Sequence, residues 1–444
     1  MLNKATLKLL SAIDNSFLYA KLLMTTILKL LLLFSSSFLH AATIEVTTGD
    51  NLFKTISNAN AGDIYILAPG SYPGNITIDK EITLKGKDGA KIIGTGEGSV
   101  ITINASNVTI DNLIISDSGT DLSSQDSAIF INKTSDNALI KNNFLSNNLI
   151  GVYLWGSTNS NVNNNKIIGR QDLRENERGN GIQLWNSTGS SVANNHVSYG
   201  RDGIFVTTSN NNTFSDNVFS NLRYSIHYMY TNNSTIKNNI SINNDIGFAL
   251  MSSSGLKVTN NISIDDKEHG FFANFLNQST INGNAVLNGK NKCLFVYNSN
   301  FNTFSDNYFK QCLIGVNWTA GSDENDFYNN AFIGNKKQVK YVSTKNIEWS
   351  YQGQGNFWSD HKSYDINNNN IADSVYKPND ITDKILWNYP NAAVLLNSPI
   401  MQLLRYSSKH FPSLLPGGIV DSYPLMDNTK IATEALLNAQ KYIN

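Results

Sequence analysis

Charge is scarce in this chain. Of 444 residues only 16% are Asp, Glu, Lys or Arg, and the formal net charge is −1. That balance excludes a surface built to hold a nucleic-acid polyanion. Cysteine is scarcer still, with two residues. The apolar run that ends near residue 34 is too short to span a bilayer comfortably, and no later stretch reaches the roughly 18 apolar residues of a membrane-spanning helix. The G-x-x-x-x-G-K-[ST] pattern that cradles nucleotide phosphates is also missing, so any ATP hydrolysis coupled to this chain belongs elsewhere.

What the N-terminus does hold is Lys29 followed by LLLLFSSSFLHAA. A charged start, a short apolar core and small residues mark a cleavable export signal. Residues 1–42 are expected to be removed near Ala41 or Ala42, leaving a mature protein soluble outside the cytoplasm. MTTILKLLLLFSSS, from Met24, is a complete signal alone, so Met24 offers a second start.

The strongest signal is repetition. GVYLW at Gly151, GIQLW at Gly181, GIFVT at Gly203, SIHYM at Ser225 and GFALM at Gly247 follow one another at steps of 30, 22, 22 and 22 residues. The series begins with AIFIN at Ala128 and continues through Gly270, Cys293 and Gly315. A second ladder, Asn143, Asn165, Asn195, Asn217, Asn239, Asn261, Asn284, Asn307 and Asn330, shares the period. Short β-branched segments between Asn, Ser and Gly turns, without helical periodicity, predict an all-β solenoid. The reading is a right-handed, single-stranded parallel β-helix of about nine to twelve rungs of about 22 residues, strands stacked at about 4.8 Å. Side-chain amides of the asparagines would bond from rung to rung. A β-propeller needs a period of about 40 residues. Around Leu52, Phe53 and Ile56 a short amphipathic helix is expected to cap the first rung, whose edges would otherwise invite aggregation. The β-helix is placed at 43–345, with an irregular C-terminal extension at 346–444.

Strand alternation then assigns faces. In GIFVT, Ile204 and Val206 point inward; Phe205 and Thr207 point outward. By the same parity Trp155, Trp185, Phe205, His227, Met229 and Met251 lie on one external face, with the two methionines as vertical neighbours. Beyond the signal only Met229, Met251, Met401 and Met426 remain. Two thioethers beside an imidazole form a soft set suited to Cu(I) and unsuited to Mg²⁺ or Ca²⁺; the alternative is methionine filling a covered surface. The aromatics Trp155, Trp185 and Phe205 mark a partner surface, against the general liking of sheet faces for aromatics. GRQDLRENERGN, Gly169 to Asn180, accounts for the 30-residue step as a loop projecting near Trp155 and Trp185.

Cys293 stands at a rung-glycine position and Cys312 three residues before the next, an offset expected to hold their Cα atoms beyond the roughly 7 Å limit for a disulfide. DINNNNIAD places Asp365, Asn367, Asn369 and Asp373 at the first, third, fifth and ninth positions of a calcium-type loop, but with Asn370 where glycine is usual and Tyr376 at the twelfth. The alternative is an Asn-rich surface turn. In the tail, Ser398 reads as an N-cap and Pro399 as the first residue of a helix with Ile400, Leu403, Leu404 and Phe411 on one stripe, bounded by Pro412. Ile400 and Leu404 are a second candidate partner surface, either docking on another protein or folding back on the barrel end.

RGNGIQLW, GRDGIFV, LRYSIHYMY, IGFALM, QVKYVSTKNIEWS, GNFWSD, LLNSPIMQLLRY and VDSYPLM together resemble the NosD family across roughly Thr43 to Met426. The resemblance implies a non-catalytic periplasmic β-helix protein, attached peripherally to an inner-membrane ABC-type complex. Its partners would be a membrane permease, a cytoplasmic ATPase, a copper chaperone and nitrous oxide reductase. Its role would be copper, or sulfur, delivery for assembly of that reductase's copper cluster. It strengthens the assignment of His227, Met229 and Met251 to copper. The rival reading is a carbohydrate-active protein of lyase or epimerase type, since pectin-lyase-like solenoids serve such enzymes. Asp265, Asp266 and His269 superficially suit that chemistry, but they crowd into one turn instead of spanning successive rungs. Arg201, Arg223 and Asp245 would either bind an acidic sugar or form a surface charge ladder.

Overall fold

The structure is a computed structural model. It describes residues 21, 23–25, 41–343, 345–410 and 417–443, with side chains 408–410 and 443 left aside. The apolar core of the expected export signal, Phe411 and Pro412 lie outside the described residues.

Each winding of the chain gives one strand to each of three parallel sheets. Sheet I has 13 strands, from Thr43–Val46 to Asp326–Tyr328; sheet II has 13, from Gly70–Pro73 to Phe357–Trp358; sheet III has 12, from Ile76–Ile78 to Lys337–Tyr341. The protein is thus a parallel β-helix with more windings than the ladders counted. The early ones escape notice because Thr43, Ile64, Thr83 and Thr109, in register on sheet I, step by 21, 19 and 26 residues. The last strand of sheet II also carries the winding past residue 345.

The corner between sheets I and II explains the asparagine pairs of the sequence. Its first residue is left-handed: Asn142, Asn164, Asn194, Asp216, Asn238 and Asn260 all have φ between 53° and 58°. Asn and Asp tolerate this conformation better than other non-glycine residues. Its second residue is the ladder asparagine, turned inward. From Asn165 to Asn356 each Oδ1 accepts the backbone N–H and the Nδ2–H of the ladder residue one winding earlier, at 2.9–3.1 Å. Each Nδ2 also donates to a carbonyl of the preceding winding, as Asn239 does to Phe214 O at 2.9 Å. Buried turn amides that would otherwise cost about 1–3 kcal/mol each are thereby satisfied.

The ladder ends on a carboxylate. Asp421, fully buried, takes the Asn356 backbone N–H and the Trp358 indole N–H, both at 2.7 Å. VDSYPLM therefore plugs the last winding, and Gly418–Val420 pairs with Asn346–Glu348 beside it. At the other end α1 (Leu52–Ser57) is N-capped by Asn51, whose Oδ1 accepts from Lys54 N at 3.0 Å. Leu52 and Ile56 face the core, whereas Phe53 is 61% exposed and does not share their face. In the tail α2 (Ile381–Asn388) and α3 (Pro399–His410) precede α4 (Thr433–Ile443). Helix α4 lies along the outside of sheet II, where Ile431, Ala432, Ala435 and Ala439 cover Ile240, Ile262, Ile264, Ala285, Leu287 and Ala331.

The expectation that the cysteines stay apart is overturned. Cys293 and Cys312 form a disulfide with Cα atoms 5.7 Å apart. The three-residue offset was reckoned along a strand, but the chain turns the corner from sheet II to sheet III between Cys312 and Gly315. A corner residue there faces inward across the glycine column of the winding before. Ser225 and Asn244, also 19 residues apart in the same two columns, meet by a 2.8 Å hydrogen bond from Asn244 Nδ2 to Ser225 Oγ.

Asp266 occupies that corner column too, sealed in the barrel. Its carboxyl accepts from Asn244 N at 2.8 Å, Ser241 Oγ at 2.5 Å and Ser263 Oγ at 2.6 Å. Burial, which these bonds only partly offset, raises its pKa from 3.8 to about 7. A folded pKa above the unfolded one means stability falls as pH rises from about 4 to about 7. Asp266→Asn is expected to remove that part of the decline and to raise the melting temperature at pH 8, read by thermal unfolding across pH. Asn239→Leu would strip partners from Asn217 N, Asn217 Nδ2 and Phe214 O. It should lower unfolding stability by roughly 3–5 kcal/mol in denaturant titration.

Candidate functional site

The candidate site lies on the outside of sheet III. Its strands include Ile150–Trp155, Ile182–Trp185, Asp202–Thr207, Tyr224–Met229, Ile246–Ser254 and His269–Asn277. Register sets its columns: Phe205, His227, Ala249 and Phe272 lie in one, and Thr207, Met229, Met251 and Asn274 in the next. Met229 and Met251 are direct cross-strand partners, both half-buried. His227 lies two residues before Met229 on the same strand and face. The three sequence-assigned residues therefore share one small patch.

His227 is more enclosed than an outward position implies, with 9% of its surface exposed. Its Nδ1 is 2.9 Å from Asp202 Oδ2. Arg223 grips the same carboxylate with both prongs, Nε to Oδ1 at 2.9 Å and Nη2 to Oδ2 at 2.7 Å. The ring packs against Phe205, centroids 5.0 Å apart, and edge-on against Tyr224 at 4.8 Å. The Arg223 guanidinium lies over the Tyr224 ring at 4.4 Å. Burial pushes the Asp202 pKa up, but hydrogen bonds from His227 and Arg223 outweigh it and the net shift is downward, so the group stays ionised.

Asp202 is the residue that the pattern hid. Strict alternation puts it on the inner side with Ile204. In the structure Gly203 and Ile204 both face inward, and the register passes from Asp202↔Tyr224 to Ile204↔Ile226. This extra inward residue in the glycine column restores Asp202 to the outer face. The same step explains why Arg223 pairs with Asp202 while Asp245 pairs with Lys267 at 2.7 Å, so Arg201, Arg223 and Asp245 form no continuous ladder.

Farther along the face the aromatics close up. Trp155 and Trp185 stack with centroids 6.0 Å apart and 16° between planes. Phe130 meets Tyr153 edge-on at 5.4 Å. Leu173, from the 170–180 loop, packs on Leu149, Ile150 and Tyr153 beside Phe130 and Trp155. Trp185 remains 40% exposed.

The other sequence candidates separate from this patch. In the calcium-type loop Asn370 does take the left-handed form, φ 66°. Its oxygens, however, are engaged by the loop's own backbone. Asp365 accepts from Asn369 N at 3.1 Å and Asn370 N at 2.7 Å, Asn367 from Asn369 N at 3.0 Å, Asn369 from Ile371 N at 2.9 Å, and Asp373 from Ile366 N at 2.7 Å. Among the described residues no three His, Cys, Asp or Glu side chains converge to hold a metal ion. Asp266 faces the barrel interior, which divides it from Asp265 and His269 as a sugar-cleaving set. In α3, Ser398 Oγ accepts from Met401 N at 3.4 Å, yet Met401 is the buried residue. Ile400 and Leu403 are each 61% exposed, and Leu404 is half-buried.

Comparison with known proteins places the chain in a family. The family model described as "Periplasmic copper-binding protein (NosD)" matches residues 163–363, which hold the whole patch. A Stutzerimonas stutzeri protein named "Probable ABC transporter binding protein NosD" is 39% identical over 432 residues, covering 93% of this chain and 95% of its own. A Pseudomonas aeruginosa protein of the same name is 41% identical over 373 residues, 81% of this chain and 87% of its own. Among solved structures, a family 28 exopolygalacturonase from Yersinia enterocolitica superposes with TM-score 0.57 at 13% identity, over 68% of this chain and 78% of that one. The Streptococcus pneumoniae surface adhesin PfbA gives 0.54 at 14%, over 68% and 93%. An enzyme and an adhesin at such low identity establish the β-helix alone. Identity of about two residues in five along nearly the whole length establishes more: this chain belongs to the NosD family.

Proposed function

We propose that this protein is a periplasmic, non-catalytic component of an ABC-type complex that receives Cu(I) on the outer face of sheet III and passes it on for copper-cluster assembly in nitrous oxide reductase. The observation that carries this reading is the in-register pairing of Met229 and Met251 on adjacent strands beside His227. Thioether and imidazole donors suit a soft monovalent ion. All three are uncharged donors, and both cysteines are withdrawn into a buried disulfide, so no thiolate competes for the ion.

The partners follow from what the chain lacks and what its relatives are called. It has no nucleotide-binding loop, and no helix among the described residues is long and apolar enough to cross a membrane. The permease and the ATPase are therefore separate subunits, and a copper chaperone supplies the ion. Sheet III, with the stacked Trp155 and Trp185 beside the metal patch, is the face for the chaperone or the reductase.

Docking to the permease falls to 381–410. The plug at 418–425 and helix α4 are both committed to the barrel. The segment from α2 to α3 instead leaves Val394, Leu395, Ile400 and Leu403 exposed. Deleting 397–444 would remove Asp421 and α4 as well, so a test of docking has to leave 417–444 intact.

Met229→Leu with Met251→Leu keeps bulk and removes both sulfurs. Anaerobic competition titration of the exported protein should show at least a tenfold loss of Cu(I) affinity, together with failure of reductase maturation. Unchanged affinity would place the copper site elsewhere. Ile400→Ser with Leu403→Ser is expected to leave the melting temperature within about 2 °C, because exposed side chains contribute little to stability. It should abolish co-purification with the membrane complex, and retained co-purification would refute this docking surface.

A further inference from the structure

We propose that Asp202, held by Arg223, is a positioning residue for copper: it fixes the His227 ring with the proton on Nδ1 and so turns the Nε2 lone pair to the metal. This rests on the copper reading above and adds to it a group that is not itself a ligand.

The hydrogen-bond geometry puts a proton on Nδ1. Arg223 donates to both oxygens of the carboxylate, and a guanidinium has no acceptor to offer in return. An ionised carboxylate only accepts, so the 2.9 Å contact to His227 Nδ1 requires a proton on that nitrogen. The competing arrangement, in which Arg223 Nη2 donates to a bare Nδ1, spans 3.4 Å. It would draw on a group already directed at Asp202 Oδ2 at 2.7 Å. In the neutral ring with Nδ1 protonated, Nε2 is the nitrogen with a free lone pair, as an imidazole ligand needs. Phe205 and Tyr224, 5.0 and 4.8 Å from the ring centre, flank the imidazole and oppose its turning over.

A purely architectural role explains this cluster poorly. Along the Asp202 column, neighbouring windings hold Tyr224 and Ile246, which serve the same solenoid with no carboxylate. Taking an ion pair out of water brings little or no net stability compared with apolar residues of similar volume. The one winding that carries a buried carboxylate on this column is the one beneath His227. Carboxylates that orient metal-bound histidines typically change metal affinity by 10–100-fold when removed.

The test reads the imidazole directly. The full mature chain, metal-free and labelled with ¹⁵N-histidine, reports each tautomer in long-range ¹H–¹⁵N spectra, and His227→Gln identifies the resonances. The unaltered protein is expected to show His227 with Nδ1 protonated. Asp202→Asn should lose that fixed tautomer and bind Cu(I) about 10–100-fold more weakly in competition titration. Met229→Leu with Met251→Leu should weaken Cu(I) binding while leaving the tautomer unchanged. Protonation at Nε2 in the unaltered protein overturns the proposal, whether or not Asp202→Asn folds. Undiminished Cu(I) affinity in folded Asp202→Asn overturns the positioning role while the copper reading stands. Failure of the unaltered protein to bind Cu(I), with Nδ1 protonated as expected, overturns the copper reading and takes the positioning role with it.

Discussion

The structure depends on a single side-chain amide repeated winding after winding. A parallel sheet satisfies its strand groups through its neighbours, but the corners between strands have no ladder of their own and lie against a dry interior. Asparagine is suited to this place because it carries an acceptor and two donors on one short, uncharged group. Its oxygen takes two N–H groups of the winding before, and its nitrogen returns a hydrogen bond to that winding's backbone. From Asn143 onward every corner between sheets I and II is therefore tied to its predecessor, and this one column helps to hold the register of the windings it joins. At the end the chain needs an acceptor but no longer a donor, and Asp421 replaces asparagine there. Its pKa, raised by burial to about 6 against four opposing hydrogen-bonded groups, reflects the cost of ending the column on a charge.

How much of this was legible in the sequence depended on whether a rule was repeated. The Asn143 to Asn330 column and the Gly151 to Gly315 column recur often enough to reveal both the fold and the vertical pairing of Met229 with Met251. The windings before residue 127 lack the asparagine and keep no fixed step, so pattern could not count them. The misreadings come where the chain departs from a straight, strictly alternating strand or where the packed face of a helix had to be chosen. Strict alternation fails at the glycine column, where two consecutive residues face inward. That break hid Asp202 from the face of His227, and with it the true partner of Arg223. The corner that follows sheet II defeated a distance reckoned along a straight strand, and so separated Cys293 from Cys312. In the tail, helical spacing located α3 but could not say which face of it the barrel would accept; Met401 is buried in place of Ile400.

The chemistry of the patch is consistent with the scaffold that carries it. A flat parallel sheet offers side chains at two fixed spacings, along the strand and across it, and cannot wrap a ligand. It can hold an ion by a few soft, neutral donors from one side. Under the copper reading proposed above, such a site would leave its other side open to an incoming partner. The stacked indoles lie in the same column as Met229, with Trp185 two windings before it, and the 170–180 loop stands beside them.

Mechanical load gives the disulfide a further meaning. If the segment from α2 to α3 is the part held at the membrane, any motion of the anchoring subunit pulls on the solenoid from its C-terminal end. A parallel β-helix under such a pull yields like a coil unwinding, one winding at a time, because each is held chiefly by the one before it. The Cys293–Cys312 bond joins two consecutive windings covalently. Unwinding from the tail that reaches Cys312 passes its load through the bond to Cys293, so the 19-residue stretch between them never pays out. The bond thus shortens the length of chain that each further winding can release to a pull from the tail, and it does so next to the windings of His269 and Met251.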